Sequence, residues 1–382
     1  MPSLAARPFI RAIVISTGLV LSAPFIAQLR GFVRREFPGH FVPIVGVVIA
    51  CGLAVALAAA AWRIRDRRLP RYGAIAAAIL IAVAYSAWNA SPFPESNAVE
   101  RFHFLQYGLI TFLFYRAWRP LDDFSVLLLP LLAGLIVGTA EEWFQWFIPG
   151  RVGEISDVFL NLVAIGSGLL FSLAVDPPDR LRLSVAQASR PRVARMAAAA
   201  LLALAAFVHA VHLGFEVRDP EIGTFTSRYS GSELLALQAE RTERWRDAPP
   251  PTALVRLSRE DQYLSEGLEH VHERNELWTN GDIRGAWFEN RILEKYFAPV
   301  LDTATHAGPG HRWPAEQRAD AEQRGRHGSG GPGPANPQGP FVSDAYPYPV
   351  FAWSKHAYWM AVLALFGVGG TIVRATRRPT EP

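Results

Sequence analysis

Long apolar runs alternate with short charged segments through the first half of the chain, and one more run lies near its end. The clearest run, residues 41–62, holds 22 positions without a charged side chain. A helix rises about 1.5 Å per residue, so this run is long enough to cross a hydrocarbon core of roughly 30 Å. The same pattern predicts eight membrane spans, at residues 12–29, 41–62, 72–88, 102–118, 124–140, 158–175, 196–215 and 350–373.

The predicted fold class is therefore all-α: a polytopic membrane bundle at 12–215, a hydrophilic insert, and a final span at 350–373. Within the insert, residues 216–306 have apolar positions at spacings of three and four, which predicts short helices. Residues 307–349 are rich in Gly, Pro and charge, a composition typical of a flexible tether.

The first apolar run has two interpretations. Arg7 and Arg11 precede it, as in a signal peptide, but no small-x-small cleavage site follows, which favours a retained helix.

Arginine placement predicts the orientation. Seventeen arginines fall in loops and termini on one side of the predicted membrane, whereas five fall in the short loops on the other side. Because positive charge collects on the cytoplasmic side, both termini are predicted to be cytoplasmic and the segment 216–349 extracytoplasmic, in a multi-pass protein of the plasma membrane. Three arginines in 30–35 oppose this orientation, and a first run that does not span would explain them.

Charge and cysteine content narrow the functional classes. The whole chain has a net charge of +4 and a mean hydropathy of +0.13, while 216–349 carries −6, so the basic balance follows the membrane topology. No basic face with interleaved aromatic residues indicates nucleic acid, and we expect no cofactor. Cys51 is the only cysteine and lies in a span, so we expect no disulfide and no metal site. The histidines of the sequence EHVHE, His270 and His272, are expected to be solvated.

A polar cluster stands out at the predicted outer ends of spans four, five and six. The sequence EEWFQWFIPGRVGEISDVFLN places polar groups three and four apart at the end of span five, breaks at Pro149-Gly150, and resumes with polar residues at the start of span six. The sequence ERFHFLQY begins span four at the same level. The candidate ligand-binding residues are Glu100, Arg101, His103, Tyr107, Glu141, Glu142, Gln145, Arg151, Asp157 and Asn161.

These motifs, across residues 100–171, resemble the VanZ-like family of integral membrane proteins. Arg101 stands where that family usually has lysine, and Ala164 stands where we expect glycine, while Gly168 keeps the small residue four positions later. The resemblance implies a bacterial cell-envelope role, linked to glycopeptide antibiotic resistance through the protein that names the family. It assigns no catalytic residue.

Several functions fit the cluster. One is a structural ion network that joins helix ends. A second, which we take as the leading hypothesis, is a non-enzymatic pocket for a lipid or wall-precursor head group, where Arg151 beside the start of span six suits a phosphate. A third is a membrane enzyme acting on a lipid-linked substrate, with Glu142 or His103 as general base and Asp157 in the site. A fourth is a scaffold that binds a partner through the external segment. The lipid bilayer is the one partner common to all four.

Overall fold

The computed structural model describes residues 6–148, 151–253, 261–326, 340–346 and 348–375. The described residues form thirteen helices and two strands, and they divide into two compact units. The elements are α1 (Ala6–Glu36), α2 (Phe41–Arg63), α3 (Arg68–Trp88), α4 (Pro94–Trp118), α5 (Ser125–Gln145), α6 (Ile155–Val175), α7 (Arg190–Val211), β1 (Phe215–Asp219), β2 (Gly223–Ser227), α8 (Gly231–Asp247), α9 (Gln262–Thr279), α10 (Ile283–Tyr296), α11 (Ala298–Asp302), α12 (Ala315–Arg326) and α13 (Lys355–Ala375).

Six helices are long and apolar enough to cross a membrane, which is compatible with a multi-pass membrane protein. They correspond to predicted spans one, two, three, five, six and seven, and lie at Arg7–Ile26, Phe41–Arg63, Arg68–Trp88, Ser125–Gln145, Ile155–Val175 and Arg190–Val211.

The other two predicted spans also lie in helices, α4 and α13, but neither is among these six in the part of the chain that the structure describes. The physical reason for α4 is its composition: it carries four charged side chains as well as His103 and Gln106. Eight spans therefore stays a prediction.

The first unit is a helical bundle in which α4 takes the central place. This helix packs against α1, α2, α5 and α6. Its apolar face joins a core with α5 and α6, including Ile110, Leu129 and Ile165. A helix surrounded on most sides can keep polar side chains, because neighbouring helices rather than lipid cover them.

Small residues allow the closest contacts in this bundle. A Cβ atom added to Gly168 of α6 would lie 2.7 Å from the Cα of Gly108 of α4, so the two helices approach backbone to backbone. A Cβ on Gly134 of α5 would lie 2.9 Å from the side chain of Ile165. These contacts fix the relative positions of α4, α5 and α6, as small-xxx-small faces do in membrane bundles.

The described residues are mostly helical, which agrees with the all-α prediction, and the second unit adds one β-hairpin to the helices. Strands β1 and β2 pair antiparallel, with Phe215 opposite Ser227 and Asp219 opposite Gly223. Phe215, predicted to end span seven, therefore belongs to a strand, and α7 ends earlier, at Val211. The alternation of burial along both strands, which places Val217 and Phe225 inward, is the period-two pattern of a half-buried hairpin.

Helices α8 to α12 complete the second unit. A capping box between Ser230 and Glu233 begins α8. The apolar faces of α8, α9 and α10 then bury one core, which includes Leu234, Tyr263 and Leu293. The short helices predicted across 216–306 correspond to α8, α9, α10 and α11, and the hairpin is the exception. Residues 254–260 of this segment lie outside the described residues.

Part of the segment 307–349, which the sequence predicts as a flexible tether, is helical and packed where the structure describes it. Residues Ala315–Arg326 form α12, which packs on α10 and buries Ala321 beside Trp313. Phe341 then accepts a hydrogen bond from the backbone N–H of Thr224 (2.8 Å), so the chain runs alongside β2. The segment is rich in Gly, Pro and charge overall, but its few large apolar side chains, including Trp313 and Phe341, are buried. Residues 327–339 lie outside the described residues.

Candidate functional site

The polar cluster of the first unit centres on Glu141, near the end of α5. This carboxylate is 5 % exposed and accepts hydrogen bonds from two neighbouring side chains of α4. Gln106 Nε2 donates to its two oxygens at 3.1 and 3.0 Å, and the Tyr107 hydroxyl makes a short bond to Oε2. Gln145, one turn further along α5, donates at 3.5 Å. All these donors are neutral groups, a phenol and two carboxamides, so they orient the carboxylate without neutralising it.

A second carboxylate follows directly in the chain. Glu142 is fully buried, and its Oε1 accepts a hydrogen bond from Gln145 Nε2 at 3.3 Å. Gln145 therefore bridges the two glutamates, as the three- and four-residue spacing predicts for one helix face. Two adjacent buried carboxylates make this part of the bundle rich in hydrogen-bond acceptors.

Asn161 of α6 lies beside the same cluster with its amide unused. The side chain is 1 % exposed, and neither its oxygen nor its nitrogen has a hydrogen-bond partner among the described residues. A Cβ added to Gly138 would lie 3.3 Å from Asn161 Nδ2 and 3.4 Å from the Tyr107 ring, so the amide packs between α4 and α5. The buried hydroxyl of Thr139 also has no partner within the described part of the chain. Buried polar groups in this state cost free energy unless a guest molecule or water bonds them.

His103 and Glu100 lie on α4 one and two turns before Tyr107. His103 is buried, its Nδ1 lies 3.0 Å from the Val99 carbonyl oxygen, and its ring stacks on Tyr107. Glu100 is half-buried and accepts a hydrogen bond from Asn89 at 3.2 Å.

Two further candidates occupy different settings. Arg101 is exposed, so the structure separates it from the buried carboxylates. Asp157, in the first turn of α6, is half-buried and close enough to Tyr85 and Tyr107 to interact with them electrostatically.

Arg151 belongs to the second unit, where its backbone N–H donates to the Ile148 carbonyl at 3.0 Å. The Pro149-Gly150 break that precedes it lies outside the described residues. Within the first unit, contacts among the described residues join six of the ten predicted residues: His103, Tyr107, Glu141, Glu142, Gln145 and Asn161.

Gln106 is the site residue that the sequence analysis missed. Its carboxamide makes two of the hydrogen bonds to Glu141. The signal was present, because Gln106 follows His103 by three positions and so lies on the same face of α4.

The second unit buries several ionisable groups of its own. His270, predicted to be solvated, is instead 2 % exposed, and its Nδ1 lies 2.7 Å from the fully buried Glu289. That prediction is wrong because His270 lies on the inward face of α9, while His272 on the other face is exposed. Glu266, on the same inward face, accepts from the Ser227 hydroxyl at 2.6 Å, and its burial raises the pKa of the carboxyl.

Two other buried charges in this unit have clear partners. Burial tends to raise the pKa of Asp219, but hydrogen bonds from Lys295 (2.5 Å) and Tyr296 (2.7 Å) outweigh it and lower that pKa to about 2. Burial lowers the pKa of Arg274 to about 10, and its guanidinium lies 4.7 Å from the centre of the Trp313 ring. These groups are enclosed in the core of the second unit, so they stabilise it rather than form an accessible site.

Comparison with protein-family models, with curated proteins and with solved structures finds no match.

Proposed function

We propose that the chain is a multi-pass membrane protein of the bacterial cell envelope, of the VanZ-like type, whose buried carboxylate cluster binds a polar head group without catalysing a reaction. The observation that carries this proposal is the buried amide of Asn161, which has no hydrogen-bond partner among the described residues and packs against Gly138 and Tyr107. A purely structural network would be expected to satisfy such an amide, because leaving it unbonded costs about 1–3 kcal/mol.

The chemistry of the cluster indicates what the guest offers. Glu141 and Glu142 supply acceptors, while the nearby donors Gln106 and Tyr107 are already engaged with Glu141. A guest that brings its own donors, such as sugar hydroxyls or an ammonium group, suits this arrangement better than an anion.

The predicted orientation indicates where the bound head group would come from. In that orientation the ends of α4, α5 and α6 that hold the cluster face the outer leaflet, where envelope lipids and lipid-linked wall precursors present such head groups. Interference with a wall precursor at this site would connect the protein to glycopeptide resistance, as the family resemblance implies.

The test is binding to the purified full chain in detergent, measured by native mass spectrometry. The probes are phosphatidylethanolamine and a polyprenyl-diphosphate-linked disaccharide. Replacing Asn161→Leu removes the amide but keeps a similar size, and we expect about tenfold weaker binding, equivalent to about 1.4 kcal/mol. The melting temperature should stay equal or rise, because an unbonded buried amide is replaced by an apolar group.

Ser167→Ala is the matched control. Its hydroxyl is also buried on α6 but is already bonded to the Ala78 carbonyl at 2.9 Å. This variant should lower stability and leave probe binding unchanged. A stable wild-type protein that binds neither probe, or an Asn161→Leu variant that unfolds easily yet binds normally, contradicts the proposal.

One observation favours the enzyme as a second candidate. If the Nδ1 of His103 donates to the Val99 carbonyl, its Nε2 is left as a proton acceptor, which is how a general base is oriented. Turnover of the same polyprenyl-linked probe by the wild-type protein, lost in Glu142→Gln and in His103→Gln, would establish catalysis. Binding without turnover would leave the binding function in place.

A further inference from the structure

A second polar region lies at the other end of the bundle, around a cavity of about 650 Å³. It is lined by residues from the end of α2, the start of α3, and the segments that follow α4 and α6. Four arginines contribute to its walls: Arg63, Arg67, Arg71 and Arg119. All belong to the first unit, and none takes part in the carboxylate cluster described above.

Two of these arginines are already engaged. Arg71 donates to the carbonyls of Ala174 (2.7 Å) and Val175 (2.8 Å) and forms an ion pair with Asp66 at 2.6 Å. Arg119 pairs with Asp176 at 3.0 Å and with Asp179 at 3.2 Å. The three aspartates of the cavity are thus paired with Arg71 and Arg119, and these pairs form one wall of the cavity.

The other two arginines carry uncompensated charge. Arg63 and Arg67 are exposed, and neither side chain makes a hydrogen bond or an ion pair with any other residue that the structure describes. Arg67 also adopts a left-handed backbone conformation, with φ of 42°. Residues other than glycine and asparagine rarely adopt this conformation. As N-cap of α3 it gives no side-chain hydrogen bond to the first turn of that helix.

Both arginines lie at the ends of helices that are candidate membrane spans. Arg63 ends one candidate span, Phe41–Arg63, and Arg67 immediately precedes another, Arg68–Trp88. Side chains at such ends lie where the hydrocarbon core gives way to head groups. Guanidinium groups donate to phosphate oxygens through paired N–H groups, and basic pockets between membrane helices bind anionic head groups.

We propose that this cavity binds a phosphate group through Arg63 and Arg67, against the wall formed by Arg71 and Arg119. An anionic phospholipid and a free phosphate compound share this chemistry, and the experiment separates them. The inference is independent of the head-group function proposed above, because it concerns other residues at the opposite end of α6.

The experiment uses the full chain in phosphatidylcholine nanodiscs, with and without added phosphatidylglycerol, and measures bound lipid by native mass spectrometry and stability by thermal unfolding. We expect selective retention of phosphatidylglycerol and a higher melting temperature in its presence. The double variant Arg63→Gln, Arg67→Gln should weaken this retention about tenfold. Arg65→Gln is the control, because Arg65 is exposed in the same loop but does not line the cavity.

Arg67→Gly gives a second variant with opposite effects on folding and binding. Glycine adopts positive φ without penalty, so the melting temperature without phosphatidylglycerol should rise while retention of that lipid falls. The Arg67→Gly variant therefore still tests the proposal if the double variant does not fold.

Inorganic phosphate added to phosphatidylcholine nanodiscs distinguishes the source. Stabilisation by phosphate alone, lost in the same variants, identifies a free phosphate compound as the ligand. Stabilisation by phosphatidylglycerol alone identifies a lipid head group. The proposal is overturned if neither probe stabilises the protein, or if the Arg65→Gln control loses as much binding as Arg67→Gly.

Discussion

The two ends of α6 hold polar groups in opposite ways. At its start, which we call the acidic end, Asn161 packs against Gly138 of α5 and against Tyr107 of α4, whose hydroxyl bonds to the buried Glu141. At its end, which we call the basic end, the carbonyls of Ala174 and Val175 accept hydrogen bonds from Arg71. Arg71 lines an open cavity with three other arginines, of which Arg63 and Arg67 are exposed. The ends are separated by a helix of 21 residues, about 30 Å at 1.5 Å per residue.

The comparison indicates that mutations of buried, bonded side chains affect folding, whereas mutations of exposed side chains affect ligand binding. The hydrogen-bonded side chains of the acidic end, such as Glu141, are packed among other helices, so changing them is expected to affect folding first. The side chains of Arg63 and Arg67 at the basic end make no hydrogen bond or ion pair among the described residues, so changing them is expected to affect ligand binding first. Arg71 is intermediate, because its guanidinium reaches the backbone of α6.

The largest expected effect lies at the acidic end. Glu141→Gln places an amide N–H₂ group among donors from Gln106, Tyr107 and Gln145, and we expect a loss of about 3 kcal/mol of unfolding free energy. Thermal unfolding of the purified protein in detergent measures this loss. Glu36→Gln, at an exposed position near the end of α1, should change stability by less than about 0.5 kcal/mol. Equal effects of the two variants would contradict the internal role of Glu141.

A second variant tests the close contact between α4 and α6, at a position between the two ends of α6. Gly168→Ala introduces a Cβ 2.7 Å from the backbone of Gly108, and helix separation should cost about 2 kcal/mol. Gly166→Ala, on the same helix, meets no atom within 4 Å and is the matched control. The measurement is the same unfolding assay, and a Gly168→Ala protein as stable as the control would show that α4 and α6 do not approach this closely.

The smallest effect is expected at the basic end. Arg71→Gln removes two hydrogen bonds to the last carbonyls of α6, and we expect a loss of about 1 kcal/mol, since such carbonyls lack partners within their own helix. Arg68→Gln, an exposed neighbour, should have no measurable effect on unfolding. A loss from Arg71→Gln greater than that from Glu141→Gln would reverse the comparison between the ends.

Sequence predicted the apolar helices well, because an uncharged run of about 20 residues has few alternatives to a span. Its bounds for the second span, 41–62, match Phe41–Arg63 within one residue. It also placed Glu141, Glu142 and Gln145 on one helix face, since that follows from local spacing alone.

What sequence could not predict depends on contacts between distant residues. The burial of His270 requires α10 to place Glu289 against α9, and spacing within EHVHE contains no sign of it. The hairpin at Phe215–Ser227 was missed because its first strand follows an apolar helix without a clear stop signal. The pairing of Gln106 with Glu141 likewise depends on the register between α4 and α5.

The composition of α4 has a consequence for biosynthesis. During translation this helix leaves the ribosome before α5 and α6, the neighbours that cover its polar face, have been made. With four charged side chains it is a poor substrate for insertion by a translocon on its own. A reporter fused directly after Trp118 would therefore record an immature arrangement of the nascent chain, whereas a reporter fused after Val175 would record the assembled one.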